Sequence, residues 1–260
     1  MITPWRCRIF SSTLLCLLFQ IATANPSCPK PLTAGWDIWP PYQFRDELGR
    51  LTGLDIDIIN SIAASIGCEV RFVDMPWKRQ VEEIKSGRLD LAAGASLTEE
   101  RQHFAYYSQA YRQESMAVFV LKDRRPLYPY SKLEDLIGQP FRLGVTLGYY
   151  YGENFERLVA RYDFSNQLES VPNDQLNYYK LLRSRIDGLL ADPFTVASQL
   201  KQLQLNPMLA QSLFQLYSND VHIIFSKASV HTQLVSEFNH GLQTIQGNGL
   251  YSSILQHYLQ

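Results

Sequence analysis

Apolar and polar positions alternate with two different periods along this chain, and the periods take turns. Residues 32–36 are a short apolar run, read as a strand. Residues 54–66 carry apolar side chains at 54, 56, 58, 59, 62, 63 and 66, a helical stripe closed by Gly67. Residues 68–73 alternate as a strand does, 78–86 read as a helix stopped by Gly87, and 89–93 are apolar again. That order, strand, helix, strand, helix, strand, predicts a parallel sheet with right-handed crossovers.

A strong strand over 115–122 follows, then the polar run 123–125 with Pro126 and Pro129, read as a crossing between two lobes. A second series then begins, with a short helix over 133–137, strands over 141–145, 168–171 and 188–191, and helices over 153–162, 173–183 and 194–205. Residues 222–226 read as a return strand, and two last helices cover 230–245 and 250–258. The fold class expected is therefore α/β in two lobes joined by two crossing strands. Residues 25–120 and 221–260 would form the first lobe and 121–220 the second.

Chemistry gathers at the strand ends, where open α/β sheets bind ligands. Trp39-Pro40-Pro41-Tyr42-Gln43-Phe44 is a rigid aromatic loop after the first strand. Trp77 follows the second. Gly94-Ala95-Ser96 follows the third and reads as a small-residue turn whose amides a ligand can approach closely. Thr98 is an N-cap residue, and Arg101 lies one turn later, so its guanidinium can return to the same spot and grip a carboxylate with two prongs. In the second series, Gly148 and Gly152 bound a turn of Tyr149, Tyr150 and Tyr151, and Asp192 ends a strand before Pro193.

The N-terminus narrows the compartment. Arg6 and Arg8 precede an apolar run over 9–22, and Ala22-Thr23-Ala24 completes the pattern of a secretory signal peptide cut after residue 24. The run is about 14 residues and contains Ser11, Ser12, Thr13 and Gln20, which is short and polar for a membrane span. The remaining 236 residues carry 22 basic and 25 acidic side chains, a net charge of −3 that gives no reason to expect nucleic acid as a partner. Of the four cysteines, Cys28 and Cys68 survive cleavage, and in an exported chain such a pair reads as a disulfide. They precede the first strand and start the second, and in a parallel βαβ unit both positions lie at one edge of the sheet. The five histidines are scattered and no Cys/His cluster exists, so neither a metal nor any other cofactor is expected.

Trp39-Pro40-Pro41-Tyr42, Gly53-Leu54-Asp55-Ile56-Asp57, Trp77, Ser86-Gly87-Arg88-Leu89-Asp90, Gly94 to Arg101, Tyr107-Ser108-Gln109-Ala110-Tyr111 and Asp187 to Asp192 occur in that order. Together with the tail from Phe238-Asn239 through Gly249 to Tyr258, the series resembles the periplasmic solute-binding proteins of family 3, the polar amino-acid type. The resemblance implies two lobes that close over a small ligand. It implies that Trp39 and Trp77 wall the side-chain pocket and that Gly94 and Ser96 contact the ligand head group. Arg101 would hold an α-carboxylate, Asp192 an α-ammonium, and Tyr150 a place in the second-lobe turn. Two departures stand out. The spacing from Asp90 to Gly94 is one residue shorter than the family's, and the second-lobe turn carries tyrosines where small hydroxyl residues are usual.

The function expected is a non-catalytic periplasmic binding protein, monomeric, that closes on an amino acid or a related zwitterion and serves a membrane permease or a signalling receptor. The alternative is an exported cyclohexadienyl-type dehydratase on the same scaffold, with Glu153 or Asp192 as its acid. A structural or interaction-only protein is a third class.

Overall fold

In a computed structural model the described residues are 28–204 and 210–259. The expected signal peptide lies outside them. The first series forms as the periodicity predicts, β1 Leu32–Trp36, α1 Leu54–Ser65, β4 Val70–Asp74, α2 Trp77–Ser86 and β5 Leu91–Ser96, with an unpredicted small hairpin of β2 Phe44–Arg45 and β3 Leu51–Thr52 after β1. One turn of helix, α3 Glu99–Gln102, leads to the short β6 Ala105–Tyr107 and the long β7 Arg112–Leu121. The second series comprises β8 Leu143–Thr146, α4 Glu153–Val159, α5 Tyr162–Ser165, β9 Leu168–Val171, α6 Gln175–Leu182, β10 Gly188–Ala191 and α7 Pro193–Gln202. The chain returns along β11 Ala210–Ser226 and ends in α8 Thr232–Gly247 and α9 Leu250–Leu259.

The strands lie in the order β4-β1-β5-β11-β7-β10-β8-β9, with β6 also on β11. Parallel pairs β1 with β4 and β5, and β8 with β9 and β10, are the two βα series. Between them run the two crossing strands. β7 pairs antiparallel with β11 from Arg112↔Val221 to Leu121↔Ala210, and the far end of β11 pairs with β5. β11 therefore serves the sheet of both lobes, and each expected boundary, at 120/121 and 220/221, falls inside a strand rather than in a linker.

Buried apolar side chains collect in separate clusters on either side of this crossing. Leu54, Ile58, Ile59 and Ile62 of α1 meet Phe238 and Leu242 of α8 over β1 and β5. In the second lobe Phe141, Leu143, Phe155, Phe164 and Leu190 form one cluster, and Leu181, Leu189, Val196 and Leu200 another. Cys28 and Cys68 are disulfide-bonded, with Cα atoms 5.9 Å apart. The pairing follows from the register, because β1 and β4 are parallel neighbours and Leu32 opposes Val70.

Three elements differ from expectation: the return strand expected over 222–226 is the end of the longer β11 Ala210–Ser226, and two others change for local reasons. The stretch Gly94 to Ser96 is not a turn but the end of β5. Ser96 pairs with Val221 and Ala95 with His222, then the register shifts so that Ala93 and Gly94 oppose Ile223 alone. This is a β-bulge, and Gly94 supplies the positive φ of 81° that lets the strand kink and continue. The helix expected over 153–162 breaks into α4 and α5, because Arg161 takes an extended conformation and pairs with Asp163 at 2.7 Å.

Candidate functional site

A buried ion pair sets the first wall. Asp55, in the first turn of α1, accepts from Arg112 Nε at 3.0 Å and Nη2 at 3.4 Å, and from Gln43 Nε2 at 3.3 Å. The Arg112 guanidinium lies over the rings of Tyr42, Trp39 and Tyr111, at 3.9, 5.0 and 5.6 Å from their centroids. Burial works against its charge, but Asp55 and the surrounding oxygens outweigh that and hold it well above the ordinary arginine range. The aromatic loop is thus clamped from behind, and Trp39 packs on Tyr42 at 4.7 Å. Its edge fixes Gly94, since a Cβ there would come within 2.8 Å of Trp39 Cζ3. The Gly94 amide itself is occupied, donating to Tyr111 Oη at 3.1 Å.

The second wall is Trp77 with Arg101. Thr98 caps α3 by accepting from the Arg101 amide at 3.3 Å. The Arg101 side chain then folds back, as its spacing predicts. Nη1 donates to Ser96 O at 3.2 Å and Nη2 to Gly148 O at 2.9 Å, with the guanidinium 5.4 Å from the Trp77 ring centroid. Trp77 Nε1 donates to the same Gly148 carbonyl at 3.0 Å. Two donors of the first lobe therefore converge on one oxygen of the second.

The tyrosine turn divides its work. Tyr149 faces Trp39, with ring centroids 6.1 Å apart. Tyr150 lies beside Tyr217, whose hydroxyl donates to Tyr150 O at 2.6 Å. Tyr151 is buried in the second lobe against Phe155, and its hydroxyl accepts from the Thr146 amide at 2.8 Å.

These walls enclose a cavity of about 30 Å³. Trp39, Trp77, Gly94, Ser96, Arg101 and Tyr150 all line it. Asp192 does not. Its Oδ1 caps α7, accepting from the Phe194 and Thr195 amides at 2.9 and 3.1 Å, and receives the Tyr42 hydroxyl at 3.0 Å. It is 1% exposed. Burial raises its pKa, partly offset by Arg112 and the cap.

Polar residues that sequence reasoning passed over complete the lining: Asp37, Gln43, Gln80 and Glu114. Asp37 follows β1, and burial pushes its carboxyl up to about 6 against the amides of Ile38 and Trp77. Glu114 shares a face of β7 with Met116, which also lines the cavity. It is 4% exposed, and burial pushes its carboxyl up to about 8, with Arg112 pulling the other way. Among the described residues Glu114 Oε1 and Gln80 Oε1 have no hydrogen-bond donor. The signal for Glu114 is a carboxylate at an even position in a strand whose residues 112, 116, 118 and 120 are all buried. A strand read as starting at Ser115 leaves it out.

The model of the bacterial extracellular solute-binding proteins, family 3, matches residues 32–260. The chain belongs to this family. Among relatives of this family-3 protein, the arginine-binding periplasmic protein of Mannheimia haemolytica is 23% identical over 249 residues, covering 93% of this chain and 95% of the relative. Among solved structures, an ancestral arginine-binding protein bound to arginine superposes with a TM-score of 0.77 at 26% identity, covering 88% of this chain and 98% of that one. The dehydratase alternative finds only a partial counterpart. The cyclohexadienyl dehydratase of Pseudomonas aeruginosa is 30% identical over 84 residues, 32% of this chain and 31% of the enzyme. The chain is thus a family-3 solute-binding protein on a two-lobed α/β scaffold. Among the described residues no helix is long and apolar enough to cross a membrane.

Proposed function

We propose that this family-3 protein binds an amino acid with a cationic side chain, non-catalytically, in the cavity between Trp39, Trp77 and Tyr149. The observation that carries the reading is the charge inventory of that cavity, one guanidinium, Arg101, against two carboxyl groups, Asp37 and Glu114, with aromatic walls. A carboxylate on Arg101 leaves two acidic groups for two cations, and aromatic faces favour cations between them. Relatives named for arginine agree with this. Trp39, Trp77, Gly94, Ser96, Arg101 and Tyr150 are the proposed contacts, with Asp192 supporting the closed form through Tyr42.

A cavity of about 30 Å³ holds one or two waters. An amino acid therefore enters only if the Trp77 and Arg101 bonds to Gly148 open and re-form around it, by a hinge in β7 and β11 between lobes of residues 25–120 with 221–260 and 121–220. A binding role rather than dehydration is supported by the candidate acids. Glu153 is exposed on α4, and the Asp192 carboxylate is committed to a helix cap. We place the mature protein in the periplasm, released by cleavage after residue 24, as a monomer serving an importer or a sensor. Calorimetric titration with L-arginine, L-lysine, L-glutamine and L-glutamate tests the reading. The two cationic amino acids should bind at least tenfold tighter than the other two, and tighter binding of L-glutamate or L-glutamine would overturn it.

A further inference from the structure

Glu114 has no role yet among the groups that line the cavity. It is a carboxyl buried to 4% exposure, on a crossing strand, lining the ligand cavity, with an oxygen that no donor reaches among the described residues. On its face of the strand it stands between Arg112, whose guanidinium is paired with Asp55, and the apolar Met116, Val118 and Val120. Gln80 Oε1 is a second acceptor without a donor in the same lining. Two acceptors short of donors in one cavity ask for a ligand that brings N–H groups. Asp192, which the family pattern would nominate for an ammonium, is already engaged through Oδ1 by two amides and the Tyr42 hydroxyl, and lies outside the lining.

We propose that Glu114 is the ammonium acceptor of this site, binding the ligand's α-ammonium as a carboxylate and releasing its own proton to solvent when the ligand arrives. The proposal rests on the reading that the site takes an amino acid. The proton balance is simple. The acid form of Glu114 loses H⁺ to the buffer, the ligand ammonium keeps its three protons, and the new pair is carboxylate with ammonium.

The surroundings keep Glu114 protonated until then. Facing it are Arg112, which favours the carboxylate, and Asp192, Asp55 and Asp174, which oppose it. The hydroxyls of Tyr42, Tyr149, Tyr151 and Tyr217 also lie within its field. Burial with three neighbouring acids against one already paired arginine holds the carboxyl at about 8, so at pH 7 most of the free protein carries the proton. An arriving cation reverses that balance.

The experiment is calorimetry of the mature protein with L-arginine and its deaminated analogue, 5-guanidinopentanoate, at pH 7 in phosphate and in Tris. Wild type should release close to one proton per arginine bound, read from the difference between buffers, and bind the analogue at least a hundredfold more weakly. Glu114→Gln should release far less than the wild-type proton, bind arginine at least tenfold more weakly, and discriminate against the analogue less than tenfold, with an unchanged or higher melting temperature showing that it folds. Asp192→Asn should keep the discrimination and still release a proton fraction, smaller than wild type's because one of the acids that keeps Glu114 protonated is gone. The proposal is overturned if Glu114→Gln binds arginine within threefold of wild type while Arg101→Ala does not, a result that leaves the amino-acid reading standing. It is also overturned if Asp192→Asn, rather than Glu114→Gln, erases the discrimination. A wild type that ignores L-arginine and L-lysine alike overturns the functional reading and this inference together.

Discussion

Replacing Asp55 with alanine should cost this fold more than any change in the cavity itself. The Asp55 and Arg112 side chains are 0% and 4% exposed, and Asp55 supplies two of the hydrogen bonds to the guanidinium. Arg112 Nη1 already has no acceptor among the described residues. Without Asp55 the cation is left buried with no carboxylate hydrogen-bonded to it, which costs about 3–5 kcal/mol. Typical domains hold about 5–15 kcal/mol in all. At about 2–4 °C per kcal/mol for a chain of this size, the melting temperature should fall by roughly 6–20 °C. Asp55→Ala combined with Arg112→Met removes the orphaned charge and should recover most of that loss. Recovery stays incomplete, since the cation–π contacts to Tyr42 and Trp39 go as well, at about 0.5–1 kcal/mol each. The assay is urea denaturation of wild type, both single variants and the double, followed by tryptophan fluorescence. A single variant within about 1 kcal/mol of wild type, or a double variant whose loss equals the sum of the singles, would refute the reasoning.

Arg101→Ala should weaken amino-acid binding by roughly a hundredfold to several thousandfold, because the ligand carboxylate is left buried without its partner at about 3–5 kcal/mol, and Arg101→Lys should restore only part of it. Calorimetry checks this, and affinity within threefold of wild type would contradict it. Removing the disulfide with Cys28→Ser and Cys68→Ser should destabilise by about 4 kcal/mol on the loop-entropy model for its separation of 40 residues, measured by denaturant unfolding. Asp37, Asp174 and Glu114 have carboxyls raised to about 6, 7 and 8, so between pH 5 and 8 the folded state holds protons that the unfolded chain has released. Ligand-free stability should therefore fall as pH rises through that window, and Glu114→Gln should flatten the slope in a melting series. A ligand-free melting temperature that climbs from pH 5 to 8 would count against these assignments.

Much of this was legible in the residues. Periodicity located the strands and helices of both series, and the position of Cys28 and Cys68 before parallel neighbours foretold their bond. The interval from Thr98 to Arg101 foretold a guanidinium folded back over its own cap. What escaped has physical causes. Gly94 looks like a turn residue, but the bulge opposite Ile223 converts its positive φ into a continuation of β5. The return strand expected over 222–226 is only the end of the long β11, whose Asn219 and Asp220 pair with Glu114 and Gln113 across the crossing. The Asp55 to Arg112 pair joins positions 57 apart, which no local window can see. Asp192 could be a cap or a ligand group from sequence alone, and only the α7 amides and Tyr42 show how its Oδ1 is committed.

The function of the protein is decided by what the cavity between Trp39, Arg101 and Tyr149 holds. Mass spectrometry of the protein purified without denaturation, compared with the small molecules released on unfolding, tests this most directly. One cationic amino acid per chain is expected, lost in Arg101→Ala. An anion without an amino group, above all a cyclohexadienyl acid that the protein also converts to an aromatic product, would contradict it.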